Sequence, residues 1–203
     1  MAKLQEHDIQ YAGNGINRFF DVYRLPAAIG YMERLLEAAT LPKVWRHDVP
    51  ANALCFMENM EQLLAAAYTL HNSHNVNDEA ITATGVTGVT DITAGAAPNG
   101  HQNNAWEYFP RSLTLRQFGN PLMAINQCCS YMPGAEWKQL LRDITECALG
   151  NTTLYELLPD CNILRVRRYL LRLVEGCYII GLCSQAKNEI KKRPEKKKAG
   201  IKK

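Results

Sequence analysis

Several features that would assign the protein to a class are missing from its 203 residues. No apolar run approaches the ~20 residues that a transmembrane helix needs, which excludes an ordinary membrane span. The first ten residues are polar, so we expect no signal peptide. The seven cysteines include no Cys-x-x-Cys pair, which excludes the usual zinc-ribbon and thioredoxin motifs. An odd number of cysteines without a secretory signal indicates reduced thiols, and the sequence therefore predicts a cytoplasmic protein.

The common catalytic motifs are missing as well. The chain has no Gly-x-x-x-x-Gly-Lys loop, no serine nucleophile elbow and no Glu-x-x-His pair of the di-iron bundles. His71 and His74 are three residues apart and share a helical face, which is half of a metal site. Because His71 also continues an apolar stripe, we expect it to pack rather than to ligate. The sequence favours a non-enzymatic protein without metal or cofactor, with a metal-dependent enzyme using His71 and His74 as an alternative.

Helical periodicity is the main feature that the sequence does contain. Hydrophobic residues make up 47% and charged residues 21%, as in an ordinary globular domain. Apolar positions at helical spacing, bounded by prolines and glycines, predict an all-α multi-helix bundle of about five main helices. These helices are expected at about 26–40, from 48 to 71 or 74, and at 121–132, 135–149 and 161–190. Residues 1–15 are expected to form an irregular lead, because Gly13 and Gly15 disfavour helix.

Local signals refine the predicted helix ends and the core. Asp48, Asn120 and Asp160 each precede a predicted helix and suit an N-cap. Thr153 and Glu156 have the spacing of a capping box. The helix over 135–149 has the cleanest amphipathic pattern, and its apolar face is expected to be buried around Trp137. The adjacent thiols of residues 128 and 129 are interpreted as core filling rather than as a redox pair.

A Thr/Gly-rich segment at about 75–105 interrupts the helical pattern. It has no Lys or Arg, and its Thr, Val and Ile residues suit strands while its glycines suit turns. A small β-hairpin and a mobile loop are equally consistent with this composition. The predicted organisation is a helical domain over 1–190 with this inserted loop, followed by a basic flexible tail over 191–203.

Positive charge is concentrated at the C-terminal end. Residues 187–203 hold nine Lys or Arg and two acids, whereas the rest of the chain carries a net charge of −4. Within the last predicted helix, Arg165, Arg168 and Arg172 follow an i, i+3, i+7 pattern and lie on one face. Such a row suits phosphate contacts, although a solvent face balanced by Glu175 and other acids is an alternative. The candidate nucleic-acid contacts are Arg165, Arg168, Arg172, Lys191, Lys192, Arg193, Lys196, Lys197 and Lys198.

The first two predicted helices are joined by a Leu41-Pro-Lys link, and the chain has a basic tail. In these features it resembles small helical-bundle accessory proteins that act beside reverse transcriptases in diversity-generating elements. The resemblance implies a helical accessory subunit of a reverse-transcriptase or other mobile-element complex. The residues themselves favour a helical interaction protein with a polypeptide partner or a second copy of the chain. Nucleic acid is a further expected partner, and a membrane is not.

Overall fold

The computed structural model of the protein describes residues 2–42, 45–74 and 108–192, with the side chains of 9–42, 45–73 and 108–184. About four fifths of the described residues are α-helical and none forms a strand. The all-α fold class is therefore confirmed. Over these ranges, no helix combines the length and the apolar character that crossing a bilayer would require. The segment 75–105 and the tail from residue 193 onward lie outside the described residues, so the predicted hairpin, loop and flexible tail stay predictions.

The helices are numbered here in chain order. Six of those described have eleven residues or more, and the other two are short turns of helix that precede a longer one. Their bounds are α1 Ala2–Val22, α2 Leu25–Thr40, α3 Pro50–His74, α4 Leu115–Gly119, α5 Pro121–Tyr131, α6 Gly134–Leu149, α7 Leu154–Leu157 and α8 Ile163–Lys192. The five predicted helices correspond to α2, α3, α5, α6 and α8. α3 ends at the later of its two predicted ends, and the other ends differ by about two residues at most.

The prediction of an irregular lead over 1–15 was wrong, because α1 runs through it. Its buried residues Ala12, Ile16 and Phe19 pack against α3 and bury one face of the helix. Two glycines inside a helix cost about 1 kcal/mol each, a penalty that burial of such a face can offset. A Cβ added at Gly15 would lie 3.4 Å from the Cβ of Ala66, so this glycine leaves room for α1 to lie close against α3.

Two of the three predicted N-caps were wrong and the third makes no capping bond. The side chain of Asn162, not Asp160, accepts the N–H of Arg165 at 3.0 Å in the first turn of α8. Asp48 lies one residue too early to cap α3 and binds other side chains. Asn120 does occupy the N-cap position of α5, but its side chain makes no capping hydrogen bond. The predicted capping box before α7 is confirmed, because Thr153 and Glu156 bond to each other's backbone.

The long helices enclose one apolar core. α1 packs on α3, α2 on α6, and α5 on α8, while α8 also contacts α1, α2 and α3. The expected face around Trp137 is buried, and the indole N–H of Trp137 donates to the carbonyl oxygen of Cys128 at 3.2 Å. α8 is buried through its middle, from Leu170 to Gly181, and is more exposed toward its start. The side chains of the first two turns of α8 are therefore mostly exposed to solvent.

Candidate nucleic-acid interface

Arg165 is an exposed arginine held over an aromatic pair. Its guanidinium carbon lies 4.7 Å from the ring centre of Tyr131 and 5.9 Å from that of Tyr169. These two rings stack on each other, with centroids 4.4 Å apart and an angle of 22° between their planes. A cation over aromatic faces is attracted by about 0.5–1 kcal/mol at an exposed site. The tyrosines therefore orient the Arg165 guanidinium while its outer side stays open to solvent.

Arg168 and Arg172 lie on the same side of α8 as Arg165 but in different environments. Arg168 is exposed. Arg172 is half-buried, and its Nε donates to the carbonyl oxygen of Ser112 at 3.1 Å. The three predicted arginines therefore lie along one face of α8. The guanidinium of Arg172, however, already donates to the backbone of a neighbouring loop.

Arg167 differs from its neighbours because it faces α2. Its guanidinium forms a salt bridge with the Glu33 carboxylate on that helix. Among the residues that the structure covers, Arg165 and Arg168 have no such carboxylate partner. Arg167 is thus an arginine of the same helix whose charge is already balanced.

Glu175 is buried, so its part in the alternative interpretation, as a surface partner of the arginine row, was wrong. The side chain is 1% exposed and accepts three consecutive backbone N–H groups. Arg111 N–H donates at 2.9 Å to Oε1, while Ser112 and Leu113 donate to Oε2 at 2.8 and 3.1 Å. Burial raises the pKa of Glu175, and the amide N–H groups oppose that rise only in part. Glu175 therefore serves as a hydrogen-bond acceptor inside the fold.

The loop and short helix that Glu175 holds contribute two further exposed arginines. Arg111 lies in the loop bound to Glu175, and Arg116 lies in α4, which packs on α8. The sequence has no Asp or Glu over 108–135 or over 161–174. We use the name arginine face for the exposed arginines at the start of α8 and in the segment that packs on α8, namely Arg111, Arg116, Arg165 and Arg168. Sequence reasoning missed its first two members, because only the fold brings 108–119 against α8.

The remaining candidate contacts lie farther along the chain. Lys191 and Lys192 are the last residues of α8, and their side chains are outside the described set. The candidates beyond α8 also fall outside the described residues, namely Arg193, Lys196, Lys197 and Lys198. The backbone of α8 separates this basic end from the arginine face, since no Lys or Arg occurs over 173–186.

The histidine and cysteine candidates have structural partners. His71 Nδ1 lies 2.9 Å from Asn126 Oδ1 on α5, consistent with the packing role predicted for it. Within the described parts of the chain, no group of three His, Cys, Asp or Glu side chains could hold a metal ion. The side chain of His74 is outside those parts. Cys128 and Cys129 are buried, and burial raises the pKa of Cys129 to about 12, which suppresses the reactive thiolate.

The chain matches no protein-family model, no curated protein and no solved structure.

Proposed function

We propose that the protein is a non-enzymatic helical accessory protein that binds nucleic acid through phosphate contacts. The observation that supports this proposal is the arginine face, above all Arg165 and Arg168, whose exposed guanidiniums have no carboxylate partner among the described residues. Arginine presents several N–H donors in a planar fork that matches the oxygens of a phosphate. The basic residues that follow α8 add a second source of positive charge.

The surroundings of Arg165 favour phosphate binding by this face. A flexible arginine loses side-chain entropy when it is fixed by a ligand, a cost of up to ~2 kcal/mol. Since Tyr131 and Tyr169 already orient the guanidinium of Arg165, part of that entropy is lost before the ligand arrives. Arg165 and Arg168 are therefore the two residues whose removal should weaken binding most.

Salt-dependent binding of labelled nucleic acid tests the proposal. Fluorescence anisotropy with the full chain is measured between about 50 and 200 mM salt for the wild type, Arg168→Gln and Arg167→Gln. Each variant removes one positive charge from the same helix, but only Arg168 belongs to the arginine face. We expect Arg168→Gln to weaken binding on all sequences and to reduce the salt slope by about 0.7–0.9. Arg167→Gln should change the slope little. Equal effects of the two variants, or no binding at about 50 mM salt, would contradict the proposal.

A polypeptide partner or a second copy of the chain is a second candidate, favoured by exposed leucines beside the arginines. Leu164 is 73% exposed next to Arg165, and Leu115 is 93% exposed next to Arg116. Interfaces between proteins combine arginine with apolar side chains in this manner. Light scattering over a range of concentrations detects self-association. A Leu115→Ser, Leu164→Ser variant should then be monomeric, and an unchanged mass would remove these leucines from the interface.

The biological setting is part of the same proposal. None of the seven cysteines, all of which are within the described residues, forms a disulfide, which is consistent with a reducing compartment such as the cytoplasm. An accessory subunit beside a reverse transcriptase, or in another mobile-element complex, would need a phosphate-binding face of this kind. The alternative enzyme that uses His71 and His74 predicts stoichiometric metal in the purified protein, and metal analysis distinguishes it.

A further inference from the structure

We infer that the start of α8 binds single-stranded nucleic acid, with an unpaired base stacked on the guanidinium of Arg165 and a neighbouring phosphate bound by Arg168. This rests on the proposed function, which requires only that some nucleic acid binds through phosphate contacts. Three features support it: the aromatic rings beneath Arg165, the residues that surround Arg165 on α8, and the different surroundings of Arg168.

Arg165 presents a planar cation that is supported on one side. Its guanidinium carbon lies 4.7 Å from the ring centre of Tyr131 and 5.9 Å from that of Tyr169. Since Arg165 is exposed, the other side of the guanidinium meets solvent. Guanidinium planes, like aromatic rings, are surfaces on which proteins stack unpaired bases. The two tyrosines therefore hold a platform for a base at the surface of the protein.

The tyrosine rings themselves are less suited to this role than the arginine above them. Both rings are half-buried, and they stack on each other with centroids 4.4 Å apart. Arg165 covers Tyr131 from the solvent side. A base that reaches this surface therefore meets the guanidinium of Arg165 before it meets an aromatic ring.

The neighbours of Arg165 on α8 leave the guanidinium free of competing carboxylates. Residues three and four positions away are the nearest neighbours on a helix surface, and for Arg165 these are Cys, Asn, Arg and Tyr. Leu164 is 73% exposed and lies four residues before Arg168, so it adds apolar surface beside both arginines. A nucleotide at this position therefore meets a planar cation, an apolar side chain and a second cation.

Arg168 is placed to bind a phosphate next to the stacked base. It is exposed and lies three residues after Arg165, which brings the two Cβ atoms to about 5–6 Å. Among the described residues, its guanidinium pairs with no carboxylate and lies over no aromatic ring. Its N–H donors therefore suit the oxygens of a phosphate. The two arginines thus divide the base and the phosphate between them.

This division of roles requires an unpaired strand. In a duplex the bases are paired and stacked, so none offers a face to a side chain unless it leaves the helix. A base that stacks on a side chain strengthens the binding of a single strand by about fivefold or more. The ligand that gains from the Arg165 platform is therefore a single strand rather than a duplex.

Fluorescence anisotropy with the full chain at about 50 mM salt tests the inference. The probes are a DNA strand of about 12 thymidines, an abasic strand with the same number of phosphates, and a blunt DNA duplex with the same total number of phosphates. We expect the thymidine strand to bind about fivefold more tightly than the abasic strand. It should also bind more tightly than the duplex.

Arg165→Lys separates stacking from charge, because lysine keeps the positive charge but has no planar group. We expect this variant to lose the preference for the strand with bases and to keep the wild-type salt slope. Arg167→Lys is the matched control, since Arg167 pairs with Glu33, and it should keep both properties. Arg168→Gln should weaken the two single strands alike, because it removes a phosphate contact.

Three results would overturn the inference: equal affinity for the thymidine and abasic strands, tighter binding of the duplex, or a base preference that Arg165→Lys retains. If Arg168→Gln still weakened binding in those cases, the proposed function would stand. No binding of any probe would overturn both.

Discussion

Arg172 and Glu175, one turn apart on α8, both form hydrogen bonds with the backbone of Ser112. Arg172 Nε donates to the carbonyl oxygen of Ser112 at 3.1 Å, and Glu175 Oε2 accepts the Ser112 N–H at 2.8 Å. Three consecutive N–H groups that converge on one carboxylate form an anion-binding nest, here occupied by a side chain of the protein. The pair attaches the loop of Arg111 to α8 and keeps the Glu175 carboxylate buried.

Replacement of Glu175 by Gln should destabilise the protein at neutral pH. The Gln amide retains one acceptor oxygen, but its NH₂ group is itself a donor and cannot accept the backbone N–H groups that face it. We expect a loss of about 2–3 kcal/mol in the free energy of unfolding, measured by urea denaturation. Glu58→Gln, at an exposed position on α3, is the matched control and should change stability by less than about 0.5 kcal/mol. Equal stability of the two variants would show that the nest contributes nothing.

The stability due to Glu175 should decrease as the pH rises. Burial raises its pKa in the folded state, so over a range of pH the folded protein holds a proton that the unfolded chain has released. Stability in that range falls with increasing pH, starting from the unfolded carboxyl pKa of about 4.3. The difference in unfolding free energy between wild type and Glu175→Gln should therefore shrink as the pH rises above about 4.3. A difference that grows instead would mean that the three N–H groups outweigh burial and depress the pKa.

Trp137→Ala should be among the most destabilising single substitutions in the bundle. The side chain is fully buried on α6 and its N–H bonds to the Cys128 carbonyl on α5. Loss of the ring leaves a cavity and should cost about 3–5 kcal/mol in chemical denaturation. Trp137→Phe should cost less, because it keeps most of the apolar volume. Tyr155→Ala, where the ring is 53% exposed, serves as the control. A Trp137→Ala cost close to that of the control would contradict the packing.

The hydrogen bonds of Asp48 should stabilise the packing of α2 against the link that precedes α3. Its carboxylate accepts the Tyr31 hydroxyl and the Trp45 indole N–H, each at 2.8 Å. Asp48→Ala leaves both donors without this acceptor and should cost about 1.5–3 kcal/mol, whereas the exposed Asp21→Ala should be nearly neutral. A double-mutant cycle with Tyr31→Phe measures the pair directly. Additive losses would show that the hydroxyl and the carboxylate do not interact in solution.

Much of the local structure follows from the sequence. The helices α2 and α6 begin and end close to the predicted residues, because proline, glycine and amphipathic spacing act within one or two turns. The burial of Trp137 follows from the same spacing. Asp48 shows the limit of local reasoning: a carboxylate that suits an N-cap binds Tyr31 instead, because a partner distant in sequence lies closer in the fold.

The sequence by itself determined where α2, α3, α5, α6 and α8 form, and that α8 carries a row of arginines toward a basic end. Only the tertiary structure decided how those arginines are used: Arg167 pairs with Glu33, Arg172 binds the Ser112 carbonyl, and Arg165 and Arg168 stay exposed. Periodicity places a side chain on a face of its own helix, because that depends on backbone geometry alone. It cannot say which other segment packs on that face, since such contacts join residues sixty or more positions apart and depend on the packing of the whole core.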